Sequence, residues 1–358
     1  MNNTTTQPKI SRRATLHDIA HHAGVTVGTA SGVLRGKAKE RRISSEVVER
    51  VRRVAEEMDY APNLLVRSLH RGHTQVLSFM NGFRSRDRGD FYMEALTASL
   101  ERAGGELNYN ILVLCDFSHT AEETYKYIKG GINDGLIFFK PKNEDPLLPF
   151  LRKSNLPIVL LNSVDDEGLL SSVTDDGNAG IREVVNQLLA NGHRRIAMLT
   201  ADFAVTDARN RTLYFIECLR EAGIELPEDW TIPVDGKDSA KVNAAVKYLM
   251  SQDNPPTALF CWHDYVGYRA LEECHNLGIS IPDQLSVVGY DGVRWPARTT
   301  HILASVEVDL EGMSKLAVEI LVDLVRGDAL APIQKVMPVR FNAGTTLGSA
   351  RHHIRRII

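Results

Sequence analysis

The chain has 358 residues, 43% of them hydrophobic and 24% charged, with a formal net charge of −3; this is the composition of a water-soluble globular protein, long enough for a small domain plus one or two larger ones. No stretch approaches the ~18 apolar residues of a membrane span. Residues 1–13 are polar, read as disordered, and lack the apolar run of a secretory signal. The four cysteines (Cys115, Cys218, Cys261, Cys274) show neither CxxC nor metal-ligand spacing, so no metal is expected, and the thiols read as reduced in a cytoplasmic protein.

In chain order, Thr15-Leu16-His17-Asp18 has the form of a capping box, with Asp in place of Glu or Gln. Ile19, Ala20 and Ala23 supply an apolar face, and Gly24 breaks the helix. Thr26 caps a second short helix over 27–34, so two helices meet across a turn of about three residues, the geometry of a helix-turn-helix. A third helix is expected from Ser44, with Val47, Val48, Val51, Val54, Ala55 and Met58 at helical spacing over the first two. Pro62 is expected to halt it. Residues 64–69 are apolar and helical in pattern with no core of their own to join, which points to a partner surface. Residues 1–74 carry 13 Lys+Arg against 7 Asp+Glu, a balance of +6, which leaves −9 on the rest of the chain. A basic head on an acidic body is expected where only one domain meets phosphate.

From Gln75 onward short apolar runs alternate with amphipathic helices, which argues for parallel α/β units. Strands are expected at 76–80, 110–114, 135–139 and 157–161. Helices are expected at 91–103, ending at Gly104-Gly105, at 120–129, and between the last two strands. After Asp175-Asp176-Gly177 the rhythm restarts: helix 179–191, strand 195–199, helices 209–222 and 239–251, strand 258–261, helix 265–277 and strand 285–290. The fold class is therefore α/β: a small all-α head followed by two doubly wound lobes of similar size, with a ligand cleft between them. The expected divisions are a tail at 1–13, the DNA-binding domain at 14–62, a hinge and linker at 63–74, the two-lobed core at 75–348, and a basic tail at 349–358.

No catalytic constellation stands out. The sequence has no G-x-S-x-G, no Walker loop, no H-E-x-x-H, and no G-x-G-x-x-G in a βα turn. His21-His22 and His352-His353 lack a carboxylate or cysteine at ligand spacing. Asp165-Asp166 and Asp175-Asp176 read as turn and cap residues rather than paired acids. No enzyme activity and no cofactor are expected.

Several segments together resemble the lactose/galactose-repressor (LacI/GalR) family: Thr15-Leu-His-Asp-Ile-Ala20, Ala23-Gly-Val-Thr26, Thr29-Ala-Ser31, Tyr60-Ala-Pro-Asn63, Arg67-Ser-Leu69, Asn191-Gly-His-Arg-Arg-Ile196, Pro282-Asp283 and Ser286-Val-Val-Gly-Tyr-Asp291. They stand in order at suitable spacing through nearly all of 15–348. The resemblance implies a hinge helix, a periplasmic-binding-protein-like core, and a homodimer that acts on near-palindromic double-stranded DNA, usually as a repressor, under a small-molecule effector. An activator, or a ligand-binding receptor of the same core fold with no regulatory role, stands as the alternative.

The resemblance implies DNA contacts from Thr15, Thr26, Val27, Gly28, Thr29, Ser31, Asn63 and Arg67, with Leu69 as a wedge in the minor groove. This chain departs from the family pattern in its second helix. The family offers polar or aromatic side chains at the first two positions and an arginine after the serine, whereas Val27, Gly28 and Gly32 stand here. The stretch 35–42 is a few residues longer than usual. Its five basic residues, among them Arg35, Arg41 and Arg42, either reach DNA or are solvated.

For the effector, Phe91 and Tyr92 match an aromatic pair after the first strand, with core packing as the other reading. Arg211 and Asp291 match ligand-contacting residues, and can also pair with each other. His263 and Asp264 stand where the family has Asn-Asp, and Asn162 completes the candidate set. Arg84, Arg86 and Arg88 with Arg211 favour an anionic effector, a sugar acid or phosphorylated metabolite; a neutral polyol or nucleoside is the competitor. No leucine heptad follows the core, so a dimer rather than a tetramer is expected, with 91–103 and 209–222 at its interface.

Overall fold

Three hydroxyl side chains lay out the head. Thr15, Thr26 and Ser44 each accept the backbone N–H three residues on, starting α1 (Leu16–His22), α2 (Val27–Leu34) and α3 (Ser45–Glu57). The computed structural model describes residues 13–62, 68, 72–83, 90–115, 119–142, 144–201, 206–234, 238–297 and 299–350, in two units, 1–74 and 75–358. Asp18 completes the capping box on Thr15. Gly24 turns the chain between α1 and α2 at φ +61°, a region L side chains avoid. Ile19, Ala20, Ala23, Ala30, Val33, Val51, Val54 and Ala55 form the core of this unit. Ser44 is thus the cap of α3 rather than its first residue. The helix also stops before Pro62 can act: Met58 is its C-cap, and Asp59 follows in the left-handed region at φ 47°.

The second unit is built from β1 (Val76–Asn81), α4 (Phe91–Glu106), β2 (Asn110–Val113), α5 (Ala121–Lys129), β3 (Gly135–Phe139), α6 (Leu148–Arg152), β4 (Ile158–Leu161), β5 (Ser171–Asp175), α7 (Gly177–Ala190), β6 (Ile196–Thr200), α8 (Thr206–Glu221), β7 (Thr231–Pro233), α9 (Ser239–Met250), β8 (Ala258–Cys261), α10 (Asp264–Asn276), β9 (Ser286–Asp291), β10 (Ala304–Glu307), α11 (Leu310–Arg326), β11 (Gln334–Met337) and β12 (Arg340–Asn342). Strands β3, β4, β6 and β8 are buried at every residue. That is why they read as unbroken apolar runs rather than alternations, as parallel strands covered on both faces do.

Two sheets result. The first runs β11-β5-β4-β3-β1-β2, all parallel. The second runs β12-β10-β9-β8-β6-β7, parallel except for β12 against β10. The chain crosses from one lobe to the other three times, after β5, after β10 and after β11. Helix α11 packs on α4, β3, β4 and β5 of the first lobe. The lobes are therefore interleaved, not successive as the sequence rhythm suggested. In each sheet the strand order reverses once, between β1 and β3 and between β6 and β8, and such reversals open a crevice at the carboxyl ends of the strands.

The expected strands and helices shift by one to three residues at their ends, with one instructive exception. Gly104-Gly105 does not stop α4, which continues to Glu106. A Cβ on Gly104 would stand 2.9 Å from the carbonyl oxygen of Tyr109, so this glycine lets the returning chain approach the helix. Among the described residues no helix is long and apolar enough to cross a membrane. Cys218, Cys261 and Cys274 are buried and Cys115 is exposed, all as thiols.

Candidate functional site

In the head, the hydroxyls expected to meet phosphate are partly engaged within the protein. Thr15 Oγ1 is 2.6 Å from Asp18 Oδ2 in the capping box. The Thr26 and Thr29 hydroxyls lie 2.9 Å apart at the exposed start of α2, and Thr26 Oγ1 also accepts the Thr29 N–H. Arg50 Nε donates to the carbonyl of Ala23 at 2.9 Å, which satisfies the carboxyl end of α1 and braces the turn. Gly28, Arg35, Arg41 and Arg42 are exposed, while Val27, Thr29 and Ser31 are half-buried. Asn63, Arg67 and Leu69 lie outside the described residues, as do Arg84, Arg86 and Arg88.

The second lobe supplies a charged floor. Arg211, on α8, donates through Nη1 to the carbonyl of Trp262 at 2.9 Å and through Nη2 to Asp291 Oδ1 at 3.3 Å. Its guanidinium carbon lies 3.7 Å from the ring centre of Tyr290. Asp291 ends β9 at φ 115°, a strained position for a side-chain-bearing residue. Burial pushes its carboxyl up to about 6, although Arg211 and Lys140 pull it down. Arg211 and Asp291 thus pair within one lobe rather than facing each other across the cleft. Beside them, the buried indole N–H of Trp262 has no hydrogen-bond partner among the described residues.

Asp264 and His263 sit at the start of α10 with different tasks. Asp264 is buried. It accepts the Ser305 hydroxyl at 2.6 Å and the Val293 N–H at 2.7 Å, tying the 292–295 segment to β10. A Cβ at Gly289 would strike its Oδ1. Burial, then the charge of Asp291, raises its carboxyl well above the ordinary range. His263 is the N-cap of α10: its Nδ1 accepts the Val266 N–H at 3.3 Å. Burial first, then Arg211 and Lys140, depress its pKa to about 3.

That depression carries a pH dependence. A histidine whose folded pKa lies below its unfolded value of about 6.5 stabilises the fold above that value and loses the stabilisation as pH falls towards the folded pKa. Protonation also removes the acceptor that caps α10. His263→Asn keeps a capping side chain without the titration. Relative to wild type, this variant is expected to gain about 2 kcal/mol between pH 7 and pH 5, at 1.36 kcal/mol per pH unit. Urea melts at the two pH values check it, and an unchanged difference would show that folding does not depress the His263 pKa.

The first lobe faces this floor with aromatic rings and a lysine. Asn162, at φ 56° just past β4, donates to the Tyr92 hydroxyl at 3.0 Å. Lys140, the residue after β3, places Nζ 5.4 Å from the Tyr92 ring centre, and its charge reaches both Asp291 and His263. Phe91 stands edge-on to Trp295 at 4.8 Å, and Trp295 packs on Tyr265 at 4.4 Å. Tyr290 donates its hydroxyl to Asp175 Oδ2 at 2.7 Å, a bond between β9 of one lobe and β5 of the other. A groove of about 420 Å³ opens beside Phe91 and Asp291, walled by Glu94, Ala95, Gly292, Val293, Arg294, Val308 and Leu310.

Of the sequence-derived set, Tyr92 and Asn162 are brought together by a hydrogen bond. Phe91 and Asp291 share the groove, and Arg211, His263 and Asp291 share one electrostatic neighbourhood. Asp264 stands apart, its carboxylate turned into the protein. The sequence reading missed Lys140, Asp175, Trp262, Trp295 and Tyr265. Lys140 had a findable signal, as the first polar residue after a wholly buried strand beside a point of strand reversal. Asp176 caps α7 and Asp165 accepts the N–H groups of Leu169 and Leu170, so one acid of each adjacent pair holds a turn or cap, while Asp175 takes the bond from Tyr290.

Comparisons agree with this architecture. Residues 15–63 match the family described as bacterial regulatory proteins, lacI family, and residues 185–347 match a periplasmic binding protein-like domain. The HTH-type transcriptional repressor PurR of Photobacterium profundum is 26% identical over 317 residues, 87% of this chain and 92% of its own. Among solved structures, the lac repressor dimer bound to operator and the anti-inducer ONPF has a TM-score of 0.80 at 20% identity, covering 94% of this chain and 100% of its own. The transcriptional regulator CelR–cellobiose complex has a TM-score of 0.67 at 24% identity, covering 93% and 100%.

Proposed function

This chain belongs to the lacI family of bacterial regulatory proteins, a DNA-binding transcriptional repressor controlled by a small effector, and we propose that its effector is a neutral, polyhydroxylated molecule bound between the two lobes. The observation that carries the proposal is the engagement of Arg211 by Asp291 on the floor of the cleft. Arg211 and Lys140 are matched in charge by Asp291 and Asp175, so the described cleft offers an anion no surplus of positive charge. Asp291 accepts from ligand hydroxyls, and Phe91, Trp295 and Tyr92 present apolar ring surface, the pairing of functions that suits a sugar or nucleoside.

The effector acts by linkage. The Tyr290–Asp175 bond joins the lobes, and a ligand that alters lobe closure biases the two conformations only as far as it binds one of them better. On the DNA side, the proposed contacts are Thr26, Val27, Gly28, Thr29, Ser31, Arg35, Arg41 and Arg42, together with Asn63, Arg67 and Leu69 of a hinge within 63–74. Two heads carried by a homodimer would span a near-palindromic operator. Leu213, 51% exposed on α8, supports that helix as a subunit interface. A cytoplasmic location and the absence of enzymatic turnover complete the proposal.

Thermal-shift screening tests the effector class directly, with neutral sugars, polyols and nucleosides set against matched sugar acids and phosphates. A ligand at 100 times its Kd is expected to add about 2.7 kcal/mol and to change operator affinity in a parallel titration. Stabilisation by an anionic member, with its neutral partner inert, would overturn the neutral reading.

A further inference from the structure

The outward side of α2 carries no base-reading side chain of its own. Gly28 and Gly32 stand one turn apart, each two residues and so about 200° from Ala30, which is wholly buried in the core of the head. The two glycines therefore occupy the middle of the face turned away from that core. Around them the helix offers Val27, Thr29 and Ser31, none of which has the two-pronged donor that tells one base pair from another.

A side chain from elsewhere lies across this face. Arg41 Nη1 donates to the carbonyl of Gly28 at 2.8 Å. The Arg41 stem runs so close over Gly32 that a Cβ there would stand 2.9 Å from Arg41 Cδ and 3.4 Å from Ile43 Cδ1. Gly32 is buried beneath these two side chains, while Arg41 itself is exposed. Its segment is held by backbone bonds from Arg41 N to the Lys37 carbonyl at 3.1 Å and from Ile43 N to the Ala38 carbonyl at 3.0 Å. The neighbouring carboxylate, Glu40, is paired with Lys37. With one Nη1 bond made to Gly28, the Nε–Nη2 edge of the guanidinium has no protein partner among the described residues.

Resting on the reading of this head as a DNA-binding unit, we propose that Arg41 is its specificity-determining residue. The residue is delivered to α2 from the following loop and seated in the notch that Gly28 and Gly32 leave. The seat fixes one edge of the guanidinium and presents the other as a fork, which fits the O6 and N7 acceptors of a guanine in the major groove. The two glycines weaken α2 as a helix, and the seat is what they provide in exchange.

Selection of preferred sites from random duplex DNA, followed by titration at fixed salt, tests this on the full-length protein. Arg41→Ala is expected to erase a G·C preference at one position of each half-site, with discrimination there falling about tenfold or more. Gly32→Ala keeps every charge but pushes the Arg41 stem aside, and should lose preference at the same position. Arg41→Lys keeps the charge without the fork, and should lose the preference while retaining the salt dependence. Arg35→Ala and Arg42→Ala should instead weaken all sequences alike, each lowering the salt slope by about 1. If Arg41→Ala and Gly32→Ala keep the wild-type preferred site and lose only overall affinity, Arg41 binds phosphate and the proposal is overturned. A change in Arg41→Ala alone would overturn the glycine seat. A wild-type protein that selects no site at all would instead defeat the DNA-binding reading on which the proposal rests.

Discussion

Arg211→Ala is expected to destabilise the effector-free protein by about 3 kcal/mol at pH 7, because removing one partner of a buried pair leaves the other, a carboxyl, buried without its counter-charge, to be held ionised or protonated at a cost. Arg211 is 7% exposed and Asp291 13% exposed, so solvent offers little replacement. The same change removes the donor to the Trp262 carbonyl. The deficit should depend on pH in a definite direction. The folded pKa of Asp291, already about 6, rises further without Arg211. A carboxyl whose folded pKa exceeds its unfolded value of about 3.9 favours the native state while protonated and loses that advantage as pH rises through the folded value. Acidifying from pH 7 to pH 5 should therefore restore much of the lost stability. Effector affinity should fall about 100-fold and not recover at pH 5. Denaturant melts and calorimetry at both pH values separate these effects, and a stability deficit that is flat with pH would remove Asp291 as the cause.

Asp264→Ala is expected to have a comparable cost, about 3 kcal/mol, by a different route. Among the described residues nothing cationic is paired with Asp264; its oxygens accept the Ser305 hydroxyl and the Val293 N–H inside the protein. Truncation leaves these buried donors unsatisfied and opens a cavity against Gly289. Asp264→Asn retains an acceptor of the same shape, and because burial already favours the uncharged carboxyl, it should cost less than a third as much. The segment that Asp264 anchors carries Trp295, so the alanine variant should also lose the edge-on contact with Phe91 and weaken effector binding. Equal losses in the Ala and Asn variants would show that a carboxylate charge is what this position requires.

The parts of the molecule legible in the sequence were those determined locally. The caps at Thr15 and Thr26 and the turn at Gly24 act within four residues, and the buried strands declare themselves as apolar runs. The cleft residues Phe91, Arg211 and Asp291 were legible through the family resemblance, which matched them to effector-contacting positions. Asp175, Trp295 and Tyr265 were not, because each reaches the site through contacts between segments more than 25 residues apart, such as the Tyr290–Asp175 bond. Strands β5, β10, β11 and β12 and helix α11 were missed for a related reason. These strands are short and polar in places, with Ser171 and Ser172 buried in β5. A scheme of two successive lobes also had no place for a helix and strand returning to the first. Arg41 was legible as a candidate DNA contact of the loop, beside Arg35 and Arg42, but its seat on α2 was not, because it depends on the chain folding back over Gly32.

The triple crossing between lobes bears on how this protein is made. The apolar side of the first sheet, with Ile137, Val159 and Leu161, shares its core with Val318 and Leu321 of α11, and that sheet's edge strand is β11. The second sheet awaits β12. While the ribosome is still translating residues 176–309, a chain already long enough for five strands of the first lobe has no α11 to cover them. The first sheet gains its last strand only once residue 337 has been made and the second only once residue 342 has been made, so neither lobe closes on its earlier elements alone. The exposed sheet face of the nascent chain is a natural ligand for chaperones that hold apolar segments until translation is complete.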